Sequence, residues 1–84
     1  METLKRMLEK LTKLSRECRY LEAKPGIDEG LKKLLWRHNG EMEILHMFAH
    51  QLAREVAPDM MITYEDKDET FQGVSFTYHR YYLY

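Results

Sequence analysis

The sequence describes a small protein of mixed charge. It has 84 residues, 44% of them hydrophobic and 32% charged, and a formal net charge of -1 at pH 7. This composition is typical of one globular domain, and the charge balance argues against a nucleic-acid-binding protein, which usually carries a basic excess. No apolar run approaches the ~20 residues of a membrane span, and the charged first twenty residues lack a signal-peptide core. A single cysteine cannot form an internal disulfide, so we expect a cytoplasmic protein.

The first predicted element is a helix over residues 3–24. Its apolar residues recur at alternating intervals of three and four, which makes a continuous heptad seam of Leu4, Met7, Leu11, Leu14, Cys18 and Leu21. Pro25 and Gly26 then end the helix, because proline disfavours helical backbone at the residue before it. Since Cys18 lies within the seam, the pattern predicts a buried packing residue rather than a reactive thiol.

A second helix is predicted over residues 28–56, with Asp28 as its N-cap and Pro58 just beyond its end. Its seam also advances in steps of three and four, through Leu31, Leu35, His38, Met42, Leu45, Ala49, Leu52 and Val56. Asn39–Gly40 is a turn signal inside this helix, but the heptad phase passes through it without a skip. We therefore expect one helix that can kink at Gly40, and two helices separated there are the alternative.

The second helix is apolar on more than one side. At ~100° per residue, Trp36 and Met47 point away from the seam. A helix that is apolar on two sides is usually covered on two sides. The cover for Trp36 and Met47 would be the C-terminal segment, a second copy of the chain or another partner.

The last stretch changes to the period of a β-strand. Ile62 and Tyr64 alternate with polar residues, and the same pattern recurs from Val74 onwards. The polar residues 66–70 are predicted to form the turn between two strands, with Gly73 marking a bulge. The predicted fold class is therefore α+β: two long helices that form a helical hairpin, followed by a C-terminal antiparallel β-hairpin over residues 60–82. We expect this hairpin to pack against helix 2.

Two long helices and one hairpin leave much apolar surface uncovered in a chain of this length. A lone hairpin is marginal in water, and small domains often gain stability by oligomerising. We therefore predict a homodimer with a four-helix core. The residues predicted to form this dimer core are Leu11, Leu14, Leu45 and Leu52.

The C-terminal segment is unusually aromatic. Tyr and Arg are enriched in protein interfaces because they combine a large apolar area with a polar tip. The candidate partner-binding residues are Trp36, Tyr78, Arg80, Tyr81, Tyr82 and Tyr84. The alternative is that this segment packs on the protein's own helices and covers Trp36 and Met47.

The most specific polar cluster is formed by Glu43, His46 and His50. The two histidines are four residues apart, so their rings leave one face of the helix and can chelate a transition metal. Glu43 with His46 gives the Glu-x-x-His pattern of carboxylate-bridged metal bundles, but a complete site of that kind needs two such motifs. The alternative is that these are partly buried polar residues beside the seam. His38, which lies in the seam itself, is expected to satisfy a core hydrogen bond or to fix the register.

No catalytic motif is present: the sequence lacks a phosphate-binding glycine loop, Gly-x-Ser-x-Gly and paired cysteines. The acidic residues 65–69 resemble part of a calcium loop but lack its central glycine and its final glutamate. We therefore expect a small non-catalytic cytosolic interaction module, an adaptor, regulator or inhibitor, without a cofactor. Its expected partners are a second copy and another protein. The alternative is a metal-binding helical protein that uses Glu43, His46 and His50.

Overall fold

The computed structural model describes residues 1–84 as two helices followed by a two-stranded antiparallel hairpin, which confirms the α+β class. Helix α1 spans Glu2–Ala23 and helix α2 spans Glu29–Val56. Asp28 caps α2, since its Oδ1 accepts a hydrogen bond from the backbone N–H of Leu31 at 2.9 Å. α2 runs unbroken through Gly40. Neither helix has the length and apolar character needed to cross a bilayer.

The core lies along the seam of α1. Its central cluster joins three leucines of α1 to two alanines of α2, and it consists of Leu4, Leu8, Leu11, Ala49 and Ala53. The small alanine side chains let the leucines of α1 approach the backbone of α2 closely. α1 is thus the central element, because it packs against α2 on one side and against the hairpin on the other.

The hairpin consists of β1, Ile62–Phe71, and β2, Val74–Leu83, in a register that pairs Ile62 with Leu83 and Phe71 with Val74. Gln72 and Gly73 form the two-residue turn, and both have positive φ, 49° and 79°. Positive φ at both central positions is the signature of a type I′ turn, whose twist matches that of paired strands. The prediction of a turn at residues 66–70 and of a bulge at Gly73 was therefore wrong.

Residues 66–70 stay extended because their polar side chains find partners across or beside the hairpin. His79 Nδ1 lies 3.0 Å from Asp66 Oδ1, and the hydroxyl of Thr77 donates to Asp68 at 2.7 Å. Glu69 accepts hydrogen bonds from the guanidinium of Arg16 on α1, including one from Nε at 2.8 Å. This contact keeps the pKa of Glu69 below its ordinary value. A polar segment therefore forms a strand here, because its side chains find hydrogen-bond partners on the opposite strand and on α1.

The hairpin packs mainly against α1, and the prediction that it packs against helix 2 was wrong. The outer edge of β2 needs hydrogen-bond acceptors, and two hydroxyl groups of α1 provide them. Ser15 Oγ accepts from the backbone N–H of His79 at 3.1 Å, and Thr12 Oγ1 accepts from that of Tyr81 at 2.9 Å. Trp36 and Met47 consequently stay exposed on α2.

The outer edge of β1 remains open, because none of its backbone groups bonds to another element. Its side chains are mainly charged, from Glu65 through Glu69. Charges along an exposed edge strand are a common protection against edge-to-edge aggregation.

Candidate interaction surface and histidine pair

The most prominent surface feature is an apolar strip along the outward face of α2. We define the α2 strip as four large apolar side chains on this face, those of Trp36, Ile44, Met47 and Phe48. Their exposed fractions range from 53% for Phe48 to 77% for Trp36. Gly40 lies between Trp36 and Ile44, and no atom outside its two neighbours and the adjacent helix backbone lies within 4 Å of the place where its Cβ would be. The strip is therefore exposed apolar surface that is interrupted by open space at Gly40, and nothing in the chain covers it.

Charged residues of opposite sign flank the two ends of the α2 strip. Lys33 and Arg37 lie near its N-terminal end, and Glu55 lies beyond its C-terminal end. All three are exposed, and none forms an ion pair within the chain. The outward face of α2 is thus basic near its N-terminal end, whereas its C-terminal end carries Glu55 beside the exposed Arg54, with apolar surface between.

The leucines predicted to form a dimer core lie inside the single chain. Leu11 and Leu14 are buried in the α1 seam, and Leu45 and Leu52 are half-buried. Leu45 and Leu52 both pack against the core cluster. The burial of these four leucines therefore needs no second copy, and the exposed apolar surface of α2 lies at other positions.

The C-terminal aromatic residues are distributed over both faces of the hairpin. Tyr81 faces α2, with its ring centroid 5.9 Å from that of His46, and burial raises the pKa of its hydroxyl. The guanidinium of Arg80 stacks 5.5 Å from the ring centroid of Tyr82 on the other face.

Two further tyrosines complete the aromatic set. Tyr78 is half-buried beside Phe76, and Tyr84 is exposed. No ring pair joins Trp36 to any of these tyrosines. The structure therefore separates the predicted partner-binding residues into the α2 strip and the hairpin.

His46 and His50 lie together on α2, as their spacing predicts, and His46 contacts the ring of Tyr81 on the hairpin. Their Nε2 atoms are 3.3 Å apart, and their ring centroids are 4.4 Å apart. Partial burial lowers the pKa of His46, and the nearby His50 lowers it further, because two adjacent imidazolium charges repel. Glu43 is exposed and does not join them: no three histidine, cysteine or carboxylate side chains converge anywhere in the chain.

His38 and Cys18 occupy packing environments rather than a reactive site. His38 Nε2 lies 3.5 Å from Glu17 Oε2 across the helix pair, and its buried Nδ1 has no hydrogen-bond partner. Burial raises the pKa of the Cys18 thiol to about 11, so it stays protonated at neutral pH. A protonated, buried thiol is a poor nucleophile, which favours a structural role for Cys18.

Sequence reasoning missed the two hydroxyl residues that fix the position of the hairpin. Thr12 and Ser15 look like ordinary helix-surface residues, because serine and threonine are common there. Their signal is their separation of three residues beside the leucine seam, which places both hydroxyls along one flank of α1.

Comparison of the chain with known protein families, with curated proteins and with solved structures finds no match. Function must therefore be inferred from the chemistry of the two sites themselves. The α2 strip offers an apolar contact area with charged residues at both ends. The histidine pair offers two nitrogen ligands.

Proposed function

We propose that this protein is a small non-catalytic interaction module that acts as a homodimer, joined by antiparallel pairing of the α2 strips. The observation that carries this proposal is the exposure of four large apolar side chains along one face of α2. Fully burying a side chain of this kind stabilises an assembly by about 1.5–3 kcal/mol. Continuous apolar patches on small proteins commonly mark interaction sites, and aromatic residues and methionine are enriched in them.

The charges around the strip favour a second copy as its occupant. In an antiparallel pair with Ile44 on the two-fold axis, residues equally far from Ile44 on either side face each other. Lys33 of one copy then lies opposite Glu55 of the other, and Arg37 is within a long side chain's reach of the same glutamate. A parallel pair would instead place Lys33 against Lys33 and Glu55 against Glu55. Opposite charges across an interface favour the antiparallel arrangement and suppress the parallel one.

The antiparallel pairing also makes the surfaces of the two α2 helices complementary in shape. With Ile44 on the axis, Phe48 of one helix faces Gly40 of the other. Gly40 leaves open space on the helix surface, so a phenyl ring can approach the backbone there. Helices that present a large residue opposite a small one pack at the short end of the usual interaxial range. In this arrangement Gly40 provides the space for Phe48 of the other copy. That role explains why a residue of low helix propensity stands in the middle of α2.

A dimer joined through α2 leaves both hairpins facing outward. Each hairpin presents Tyr78, Arg80 and Tyr82 on one face, and these residue types often dominate binding energy at protein interfaces. We infer that this face binds another protein, which gives the dimer an adaptor, regulator or inhibitor role.

Sedimentation velocity of the wild type and of Met47→Glu tests the dimer. A glutamate in the strip would have to be buried without a partner, so Met47→Glu should be monomeric at concentrations where the wild type is a dimer. Because Met47 is exposed in the single chain, the variant should keep its helical circular dichroism. Lys13→Glu, which places the same residue on the exposed side of α1, is the control and should remain dimeric. A monomeric wild type across the micromolar range would overturn the homodimer.

A further inference from the structure

The second site is the histidine pair, whose nitrogen–nitrogen separation matches that of two zinc ligands. In a tetrahedral zinc site with Zn–N distances of ~2.0–2.1 Å, two imidazole nitrogens lie about 3.3–3.4 Å apart. The Nε2 atoms of His46 and His50 are 3.3 Å apart. The separation of the two Nε2 atoms therefore suits one bridging ion, and rotation of the rings would direct both lone pairs to it.

The two Nε2 atoms are within hydrogen-bond distance, and the tautomers decide which ring donates. Each neutral imidazole has one protonated and one unprotonated nitrogen, and two unprotonated Nε2 atoms facing each other repel. One shared proton relieves this repulsion through a single hydrogen bond. A divalent cation relieves it more fully, because it accepts the lone pairs of both nitrogens.

The surroundings leave room for the remaining ligands. A groove of about 370 Å³ opens beside His46, and its lining includes Asn39, Glu43, Met47 and Tyr81. Glu43 forms no ion pair in the chain and lies one helical turn from His46, so its carboxylate can approach through a change of rotamer. The groove borders His46 and not His50, so water can reach an ion from the His46 side.

We propose that His46 and His50 form a two-nitrogen site for a divalent transition-metal ion of the zinc class, completed by water or by Glu43. Borderline-soft ions of this class prefer imidazole nitrogen, whereas calcium and magnesium prefer oxygen ligands. This site does not depend on the proposed dimer, because both histidines lie on one chain and neither belongs to the α2 strip.

Titration calorimetry with Zn²⁺ alone tests this site in the wild type, in His50→Gln and in His79→Gln. The wild type should bind one Zn²⁺ per chain, and His50→Gln should weaken binding by about tenfold or more through loss of one ligand. His79→Gln is the matched control, since it removes a histidine that pairs with Asp66 on the hairpin, and it should bind as the wild type does. Binding should weaken as the pH falls below neutral, because protons compete for the same nitrogens.

A second readout separates loss of a ligand from loss of folding. In NMR spectra, Zn²⁺ should shift the imidazole signals of both His46 and His50 in the wild type, and those of His46 much less in His50→Gln. Absence of Zn²⁺ binding to the folded wild type would overturn the site. Equal affinity in the wild type and His50→Gln would also overturn it, as would a loss of affinity in His79→Gln as large as in His50→Gln.

Discussion

Two hydroxyl groups of α1 fix how the hairpin sits on the helices. Ser15 is buried, and its Oγ accepts the N–H of His79. Thr12 accepts the N–H of Tyr81 and donates its own proton to the carbonyl of Leu8 at 3.0 Å. These bonds satisfy backbone donors on the outer edge of β2 that contact with an apolar helix would leave unpaired.

Ser15→Ala should therefore destabilise the fold. The substitution leaves the N–H of His79 without an acceptor at a buried junction, and such a loss costs about 1–3 kcal/mol. Urea unfolding at pH 7, followed by circular dichroism, measures the change in the free energy of unfolding. Ser75→Ala is the matched control, since it removes an exposed hydroxyl of the same strand, one that contacts only Thr70, and should cost under about 0.5 kcal/mol. Equal effects of the two substitutions would contradict the role of Ser15.

At the scale of elements, the turn of the hairpin depends on Gly73. Its φ of 79° lies in the left-handed region, where a side chain is strained, and its neighbour Gln72 already adopts φ 49°. The turn fixes the register of the strands, so strain there affects the whole hairpin.

Gly73→Ala should destabilise the protein by about 1 kcal/mol, because alanine is strained at this φ. Gly30→Ala, in the first turn of α2, adds the same methyl group at a position without positive φ and should be neutral or stabilising. Thermal unfolding of the two variants beside the wild type measures the difference. A Gly73→Ala variant as stable as Gly30→Ala would show that the turn carries no strain.

Much of the element structure could be predicted from the sequence, for reasons specific to each element. The steps of three and four from Leu4 to Cys18 identify the buried face of α1, and the unbroken phase across Asn39–Gly40 agrees with one continuous α2. The strand period of the last segment identifies the hairpin. These patterns are local, so neighbouring residues suffice to recognise them.

The position of the turn and the docking of the hairpin depend on long-range contacts and could not be predicted in this way. The polar run 66–70 resembles a turn until Arg16, 53 residues from Glu69, is known to pair with it. The choice of α1 over α2 as the docking surface depends on Thr12 and Ser15, which bond to residues more than 60 positions away. The spacing of His46 and His50 predicted their proximity, but it could not place Glu43 relative to them.

At the scale of the whole molecule, the order of layers explains why one side of α2 is exposed. The molecule measures 44 × 24 × 15 Å, and its radius of gyration of 14.1 Å exceeds the ~12 Å expected for a compact chain of this length. α1 lies between α2 and the hairpin, so the far side of α2 has no intramolecular neighbour. A second copy placed on that side would cover the α2 strip and make the assembly more compact.

Disulfide cross-linking of Ile44→Cys and Lys33→Cys tests the antiparallel homodimer most directly. In that arrangement the two copies of residue 44 meet at the two-fold axis, within reach of a disulfide, whereas the two copies of residue 33 lie about 33 Å apart along the helices. The buried Cys18 is common to both variants and to the wild type. Under mild oxidation, Ile44→Cys should form a covalent dimer, and Lys33→Cys and the wild type should not. Efficient cross-linking of Lys33→Cys, or none of Ile44→Cys, would contradict antiparallel pairing through α2.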